Sequence, residues 1–132
     1  LYNKPTVVKN IMILANFRHI INRGREWFAA IDSQPKSTGT RVFCVSGHVK
    51  RPGNYEVPMG MTVRELVYEY AGGMRSDKPI KAFIPGGASA PFLTPAHLDV
   101  KLDFEHVAAA GSMLGSGGVT VMEEGTSMVW AA

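Results

Sequence analysis

The chain has 132 residues, of which 45% are hydrophobic and 19% are charged, and its formal net charge is +3 at pH 7. This composition excludes a disordered chain, and the length is sufficient for one domain with its own hydrophobic core. Because the basic residues are scattered and no apolar run approaches the roughly 20 residues that span a bilayer, we expect neither nucleic acid as a partner nor direct membrane insertion.

The N-terminal part of the chain is predicted to form an arm of short helices. An extended lead-in, Leu1–Val8, comes first. Apolar residues then recur in a mostly helical rhythm that Gly24 interrupts, which predicts two helices over Asn10–Asn22 and Arg25–Ile31. A turn-rich connector, Ser33–Thr40, separates this arm from the rest of the chain.

A run of β-branched and aromatic residues, Val42–Val45, predicts the first strand. The run is apolar on both alternating faces, so the strand is predicted to be covered on both sides. On that interpretation Cys44 is a buried core residue rather than a nucleophile. Gly47 then indicates a bulge or the close approach of another backbone.

The next residues predict the turn and the second strand of a β-hairpin that extends over Arg41–Pro58. Lys50–Gly53 contains a Pro-Gly pair, and Pro52 presets its own φ while Gly53 accepts the positive φ of a type II turn. Tyr55–Val57 is then predicted to return antiparallel to the first strand.

A helix is predicted directly after the hairpin. Thr62 and Glu65 have the spacing of a capping box, and Gly72 and Gly73 can end the helix in the left-handed conformation. The residues predicted to share the buried face of this helix are Val63, Leu66, Val67 and Tyr70.

The second half of the chain is predicted to complete the sheet. A third strand is expected at Ile80–Ile84, a short edge strand at Asp99–Leu102, and a last strand at Val119–Met122. Asp103 is predicted to cap a brief helix that ends near Gly111. The predicted fold class is therefore α+β, a β-grasp domain of the ubiquitin-like kind preceded by a short helical arm.

Few residues of the chain are arranged for chemistry. The loops Pro85–Ser89 and Gly111–Gly118 consist of small residues that can offer backbone amides to an anion. Neither loop matches a dinucleotide or Walker fingerprint, so close packing of the two loops is the favoured interpretation. The single cysteine and the dispersed histidines lack the spacing of a metal or catalytic site, so we predict no catalytic residue and no metal ligand. The histidines are His19, His48, His97 and His106.

Three blocks of sequence, Cys44–Gly53, Ile84–Gly87 and Ala109–Gly117, resemble one family. It is the NADH-binding flavoprotein (F) subunit of respiratory complex I, or NADH-quinone oxidoreductase. Related diaphorase subunits occur in NAD-linked hydrogenases and formate dehydrogenases. The part that this chain resembles contains the soluble-ligand-binding β-grasp (SLBB) domain.

The resemblance implies that the chain is an excerpt of a longer subunit. Residues 1–40 would be the lead-in and arm at the end of the flavin domain, 41–123 the SLBB domain, and 124–132 the start of a helical iron–sulfur domain. In the family NADH reduces FMN, and electrons pass through iron–sulfur clusters, including a 4Fe–4S cluster, toward quinone. The excerpt would scaffold and dock, and would hold no cofactor and catalyse nothing alone.

The resemblance also implies a location and partners. The full subunit would be an enzyme that lies peripherally on the cytoplasmic or matrix side of an energy-transducing membrane. It would bind NADH and FMN through the missing domain and would contact other hydrophilic subunits of the complex.

The lead-in carries a partial match to the family's flavin-contact motif. Lys4–Val8 matches, and Asn10 matches an asparagine near the FMN phosphate in the family. The resemblance therefore implies that Asn10 and the neighbouring Val8 backbone contact FMN. The positions that depart from the motif are Lys9, Met12 and Ile13. Ile13 has no hydroxyl to offer a phosphate, which puts the retention of FMN in question.

Two other functions stay open from the residues themselves. The first is a self-standing module that holds a small ligand between the two small-residue loops. The second is an RNA-binding β-grasp domain that uses Lys50, Arg51 and Tyr55, with an affinity that falls steeply with salt.

Overall fold

A mixed four-stranded sheet organises the fold in the computed structural model, which describes residues 1–31 and 37–131. The predicted connector therefore lies partly outside the described residues. The helices and strands, in chain order, are α1 Ile11–Arg23, α2 Arg25–Ala29, β1 Thr40–Gly47, β2 Gly53–Pro58, α3 Val63–Glu65 with a π-helical turn Leu66–Tyr70, β3 Ile80–Ile84, a 3-10 turn Pro95–His97, α4 Phe104–Ala109, β4 Gly118–Glu123 and α5 Met128–Ala131.

The order of strands across the sheet is β2-β1-β4-β3. β1 and β4 are parallel neighbours at the centre, and β2 and β3 pair antiparallel at the two edges. A first hairpin, a helix that crosses the sheet and a last strand beside the first are the arrangement of a β-grasp fold. The predicted α+β fold class is confirmed.

One face of the sheet carries the core. In β1, Phe43 and Val45 are 0% and 2% exposed, whereas Cys44 between them is exposed. The prediction of a two-sided strand with a buried Cys44 is therefore wrong. Cys44 lies between Asn54 of β2 and Gly118 of β4, on the face opposite the core. Further core residues are Val57, Val63, Leu66, Val67, Phe83, Leu102, Val107, Val119 and Val121.

Gly47 confirms the predicted close approach of another backbone. Its φ is +90°, and a Cβ at this position would lie 2.9 Å from the backbone nitrogen of Val121 and nearer still to its carbonyl oxygen. The amide of His48 donates to that same carbonyl at 2.8 Å. Only glycine fits where the end of β1 meets β4.

The predicted type II turn between β1 and β2 is wrong. Gly53 lies outside the left-handed region and is the first residue of β2. The connection is instead hydrogen-bonded to the end of the helix that follows the hairpin. The Lys50 amide donates to the Gly73 carbonyl and the Arg51 amide to the Ala71 carbonyl, both at 2.9 Å. These longer-range bonds fix the loop without a local turn.

The predicted capping box is confirmed at the start of α3. The Glu65 amide donates to the Thr62 hydroxyl at 3.2 Å, and the Thr62 amide donates to the Glu65 carboxylate at 2.8 Å. The helix ends as predicted, with Gly72 and Gly73 at φ of +74° and +82°.

The last turn of this helix is wider than predicted. The Ala71 amide donates to the Leu66 carbonyl at 3.0 Å, which is the i to i+5 bond of a π-helical turn. The wider turn rotates Tyr70 out of the 3.6-residue phase of the buried face. Tyr70 is 37% exposed and meets the Tyr55 ring edge-on at 6.1 Å, so its predicted place in the core is wrong.

The second half of the chain follows the prediction except at Asp99–Leu102. That segment makes only an isolated bridge, between Lys101 and Thr62, and is not a strand. The Leu102 side chain is wholly buried and its amide donates to the Met61 carbonyl at 2.7 Å, so a core contact and backbone hydrogen bonds to the residues before α3 hold the segment. Asp103 caps α4 as predicted, accepting from the His106 amide at 2.7 Å.

The arm forms the two predicted helices. The Asn10 side chain caps α1 by accepting from the Met12 amide at 2.8 Å, and Gly24, at φ of +88°, separates α1 from α2. None of the α1 residues is buried. Its most exposed large apolar side chains, 57% to 79% exposed, are Ile11, Leu14, Phe17 and Ile21.

None of the helices within residues 1–31 and 37–131 has the length and hydrophobicity that a bilayer crossing requires.

Candidate functional site

A cleft of about 710 Å³ lies between the helical arm and the β-grasp domain. This volume is in the range of small-molecule sites. Side chains of α1 form one wall, and the segment leading into β1 together with the start of α4 forms the other. The lining residues are Asn10, Met12, Ile13, Asn16, Ile20, Phe28, Ser37, Thr38, Thr40, Arg41, Met59, Phe104, Gly115 and Ser116.

Arg41 supplies the positive charge of the cleft. Its guanidinium lies 5.2 Å from the centre of the Phe104 ring and donates to the carbonyl of Gly115. Burial lowers the pKa of the Arg41 guanidinium. An arginine nevertheless stays protonated in proteins, so the cleft holds a half-buried positive charge.

The wall beside Arg41 is fixed by a buried hydroxyl. Ser37 is 3% exposed, and its hydroxyl donates to the Glu105 carboxylate at 2.7 Å and accepts from the Phe104 amide at 3.3 Å. At the same turn the buried Asp103 carboxylate lies 2.6 Å from Nδ1 of His106. These bonds hold Phe104 at the mouth of the cleft, where it stays 51% exposed.

The two residues that the resemblance implies for FMN lie at the start of α1. Val8 is 88% exposed, and Asn10, also exposed, lines the rim of the cleft. The Asn10 side-chain oxygen is engaged in the helix cap, which leaves its amide nitrogen as the available donor. These residues fit one edge of a flavin site, because they offer donors but do not enclose a ring system.

The residues do not fit an iron–sulfur cluster. A 4Fe–4S cluster takes four cysteine ligands, and the chain has a single cysteine. Within residues 1–31 and 37–131, no group of three or more His, Cys, Asp or Glu side chains is placed to hold a metal ion.

The two small-residue loops are packed against each other. A Cβ on Gly86 would lie 2.6 Å from the Leu114 carbonyl carbon, and still closer to the carbonyl oxygen of Met113. The Gly87 amide donates to the Gly118 carbonyl at 2.7 Å. The two loops are therefore in direct backbone contact, which confirms the close-packing interpretation. The contact leaves no room for a ligand between Gly86 and the Met113–Leu114 backbone.

The residues considered for RNA binding are engaged in intramolecular bonds. The Tyr55 hydroxyl donates to the Arg51 carbonyl at 2.6 Å, and the Arg51 guanidinium donates to the Glu69 carbonyl at 3.2 Å. Lys50 is exposed beside them. This arrangement fixes the hairpin loop against the helix end.

Histidines take similar local roles. His97 lies 3.0 Å from the Thr94 hydroxyl, and His48 accepts from the Glu123 amide at 3.4 Å. The His19 ring lies beside Trp27, with 6.4 Å between ring centres.

Arg41 was not predicted as a site residue from the sequence. Its contacts with Phe104 and Gly115 join parts of the chain that no local pattern connects.

Comparison of the sequence with known proteins gives a domain family and two relatives. Residues 42–93 match the SLBB domain. The chain is 49% identical over 129 residues to an NADH-quinone oxidoreductase F subunit of Rhizobium meliloti, covering 98% of this chain and 30% of the relative. It is 48% identical over 131 residues to the NADH-quinone oxidoreductase F subunit of Mycobacterium bovis, covering 99% of this chain and 29% of the relative.

The fold is also similar to a solved structure, that of an NAD+-reducing NiFe hydrogenase in the air-oxidized state. The TM-score is 0.72 at 32% sequence identity, and the match covers 91% of this chain and 20% of the hydrogenase chain. The chain spans about 30% of the length of the two F subunits named above. The resemblance predicted from the sequence blocks is confirmed: over nearly its whole length, the chain is similar to one segment of the F subunit of NADH-quinone oxidoreductase, and that segment includes the SLBB domain.

Proposed function

We propose that the chain is the β-grasp segment of an NADH dehydrogenase flavoprotein subunit, in which NADH reduces FMN and electrons pass to iron–sulfur clusters toward quinone. The observation that carries this proposal is the 49% identity to an NADH-quinone oxidoreductase F subunit over 98% of the chain. A chain that spans 30% of such a relative provides only part of the subunit's machinery.

Within that subunit, the segment scaffolds and docks rather than catalyses. Residues 1–40 close the flavin domain, 41–123 form the SLBB domain, and 124–132 begin the helical iron–sulfur domain. The exposed apolar side chains of α1, which include Leu14 and Phe17 at 57% exposure each, support a docking role for the arm. Burial of side chains of this size under another surface is energetically favourable.

Asn10 and the Val8 backbone contact the flavin from its edge. FMN, when bound, would supply the chemistry that links the two-electron donor NADH to the one-electron clusters. This chain's residues supply exposed donors at the first turn of α1, where negatively charged groups are favoured. A 4Fe–4S cluster, whose ligands this chain does not contain, is held by another part of the subunit.

The subunit lies on the cytoplasmic or matrix side of the membrane and contacts other hydrophilic subunits of its complex. A second assignment, a diaphorase subunit of an NAD-linked hydrogenase, is favoured by the 0.72 TM-score against the NAD+-reducing hydrogenase. The two assignments share NADH and FMN chemistry and differ in the final electron partner.

The test is the activity of the native polypeptide that carries this segment. The purified polypeptide should reduce ferricyanide when NADH is added, and the activity should be lost when FMN is removed and return when FMN is restored. In the native complex, reduction of a quinone supports the first assignment, and hydrogen-dependent reduction of NAD+ supports the second. A native polypeptide without NADH oxidation would overturn both.

A further inference from the structure

The two edges of the sheet differ in how the chain covers them. At the β3 edge, the Phe83 amide donates to the Leu93 carbonyl at 2.9 Å and the Leu93 amide donates back at 2.8 Å. The segment at Leu93 therefore covers part of that edge. On the outer side of β2, residues 1–31 and 37–131 form neither a strand nor an isolated bridge. The β2 edge is open in the part of the chain that the structure describes.

The register of β1 shows which backbone groups of β2 lie on the open side. The Cys44 amide donates at 2.9 Å to the carbonyl of the residue directly before β4, so Cys44 bonds away from β2. Its neighbour Phe43 therefore bonds toward β2, where it pairs with Tyr55. The residues on either side of Tyr55, which are Asn54 and Glu56, consequently direct their N–H and C=O groups away from the sheet. Together they offer two donors and two acceptors to a further strand.

The open stretch is short, and its side chains are polar. Pro58, the next residue of β2 that faces outward, has no N–H. The side chains of Asn54 and Glu56 are exposed. A charge and a proline on an edge strand suppress pairing between identical edges. β2 also contains no basic residue, so the β2 strand of a second copy offers no partner for Glu56.

Side chains on the two faces beside this edge indicate the chemistry of a complementary segment. On the core side, the π-helical turn places the Tyr70 ring edge-on to Tyr55, where it stays partly exposed. On the opposite side, the Glu56 carboxylate accepts from the Thr40 hydroxyl at 2.7 Å and forms no ion pair within the described residues. Because side chains of a strand alternate between faces, an added strand would meet aromatic surface with one set and Glu56 with the other.

We propose that the β2 edge binds an extended segment of a neighbouring subunit, which adds a strand to the sheet through Asn54 and Glu56. The segment alternates apolar and basic residues. Its apolar side chains pack on Tyr55 and Tyr70, and a lysine or arginine pairs with Glu56. This inference rests on the proposed function, because that function supplies the neighbouring subunits, and it adds the surface and the chemistry of one contact.

Amide hydrogen exchange tests where the edge is covered. The native polypeptide that carries this segment is compared alone and in its assembled complex. The amides of Asn54 and Glu56 should exchange roughly a hundredfold more slowly in the complex, whereas those of Tyr55 and Val57, which face β1, should be slow in both. Fast exchange at Asn54 and Glu56 in the complex would overturn the proposal. Slow exchange in the polypeptide alone would also overturn it, because the same polypeptide or a second copy would then cover the edge.

A peptide probe tests the side-chain chemistry on the native polypeptide. The probe is a capped, fluorescently labelled Lys-Val-Lys-Val-Lys peptide, and its comparison is the Glu-Val-Glu-Val-Glu peptide. The basic peptide should bind roughly fivefold more tightly, because Glu56 attracts it and repels the acidic peptide. The net charge of this chain, +3, would by itself favour the acidic peptide, so equal binding or the reverse order would overturn the proposal. This readout uses neither NADH nor flavin, so its failure leaves the electron-transfer assignment standing, and a loss of that assignment leaves the measured peptide affinity unchanged.

Four variants separate the backbone contact from the side-chain contacts. Glu56→Pro removes the outward N–H but no bond to β1, and it should weaken the basic peptide roughly tenfold. Glu56→Gln keeps the N–H and should lose only the charge effect, which covers the case in which Glu56→Pro does not fold. Tyr70→Ala should weaken the peptide several-fold, whereas Tyr68→Ala is the matched control, because that exposed tyrosine lies beside Gly73, and it should bind like the wild type. Wild-type binding by both Glu56→Gln and Tyr70→Ala would overturn the proposal.

Discussion

Gly86 tests whether the two small-residue loops are locked together by direct backbone contact. Alanine at this position would bring a Cβ within 2.6 Å of the Leu114 carbonyl carbon, and closer still to the Met113 carbonyl oxygen. Both are backbone atoms, so the loops must move apart. Gly86 lies outside the left-handed region, so the substitution carries no conformational strain of its own.

The expected magnitude follows from the bonds that the movement breaks. The Ser116 amide donates to the Gly86 carbonyl at 3.3 Å, and the Gly87 amide donates to the Gly118 carbonyl at 2.7 Å. At about 1 kcal/mol each, their loss costs about 2 kcal/mol, and overpacking adds about 1 to 3 kcal/mol. Gly86→Ala should therefore lower the free energy of unfolding by about 3 to 5 kcal/mol.

Two other glycines serve as matched controls. Gly111, at φ of +83°, has no atom within 4 Å of an added Cβ, so Gly111→Ala isolates the backbone strain and should cost about 1 to 2 kcal/mol. Gly53 has neither strain nor crowding, with the Tyr55 hydroxyl at 3.6 Å, so Gly53→Ala should change stability by less than about 1 kcal/mol. Urea denaturation followed by circular dichroism measures all three. Equal stability of Gly86→Ala and Gly53→Ala would refute the locked-loop interpretation.

Three further predictions concern single side chains. Hydrogen bonds from the Thr62 amide and hydroxyl hold the pKa of the Glu65 carboxyl below its usual 4.5. The stability that the Glu65 carboxylate contributes is therefore present above pH 4.5, and it is lost as the pH falls through the lower pKa of the folded state. Glu65→Gln should therefore flatten the acid limb of the unfolding free energy measured by urea titration against pH; an unchanged limb would contradict this. Cys44, being exposed, should react with a thiol reagent in the native chain nearly as fast as in the urea-unfolded chain, and strong protection would show that the sheet face is covered. In the native polypeptide, Ile13→Thr restores the hydroxyl of the flavin-contact motif and should tighten FMN binding roughly tenfold, whereas the control Ile21→Thr should not; equal FMN dissociation constants for the two variants would rule out a contact from position 13.

Features that depend on neighbouring residues were predicted well from the sequence. The capping box of Thr62 and Glu65, the Asp103 cap and the break at Gly24 all formed where the residues indicated. The two caps are decided by a side chain that reaches a backbone group within one turn, and the break is decided by the positive φ that Gly24 itself adopts, so distant contacts do not change the outcome.

Features that depend on distant partners were predicted poorly. A short apolar run does not reveal whether one or both faces of a strand are covered, and Cys44 is exposed for that reason. The Pro52–Gly53 pair lost its predicted turn because the loop amides bond to the carbonyls of Ala71 and Gly73 instead. Tyr70 left the core because a π-helical turn shifted the phase of its helix.

The candidate site also contains residues that the sequence indicated and residues that it did not. The flavin-edge residues Val8 and Asn10 came from a resemblance in a short motif, and they stay a prediction. The cleft around Arg41 had no sequence signal, because its walls come from the arm, β1 and the loop at Gly115. Tertiary structure alone brings these parts together.

The absorption spectrum of the purified native polypeptide that carries this segment, recorded before and after anaerobic addition of NADH, tests the proposed function most directly. We predict a bound flavin band that bleaches when NADH is added, and FMN released in a one-to-one ratio to polypeptide on acid precipitation. A colourless polypeptide that releases no flavin would contradict the assignment to an NADH-oxidising flavoprotein subunit.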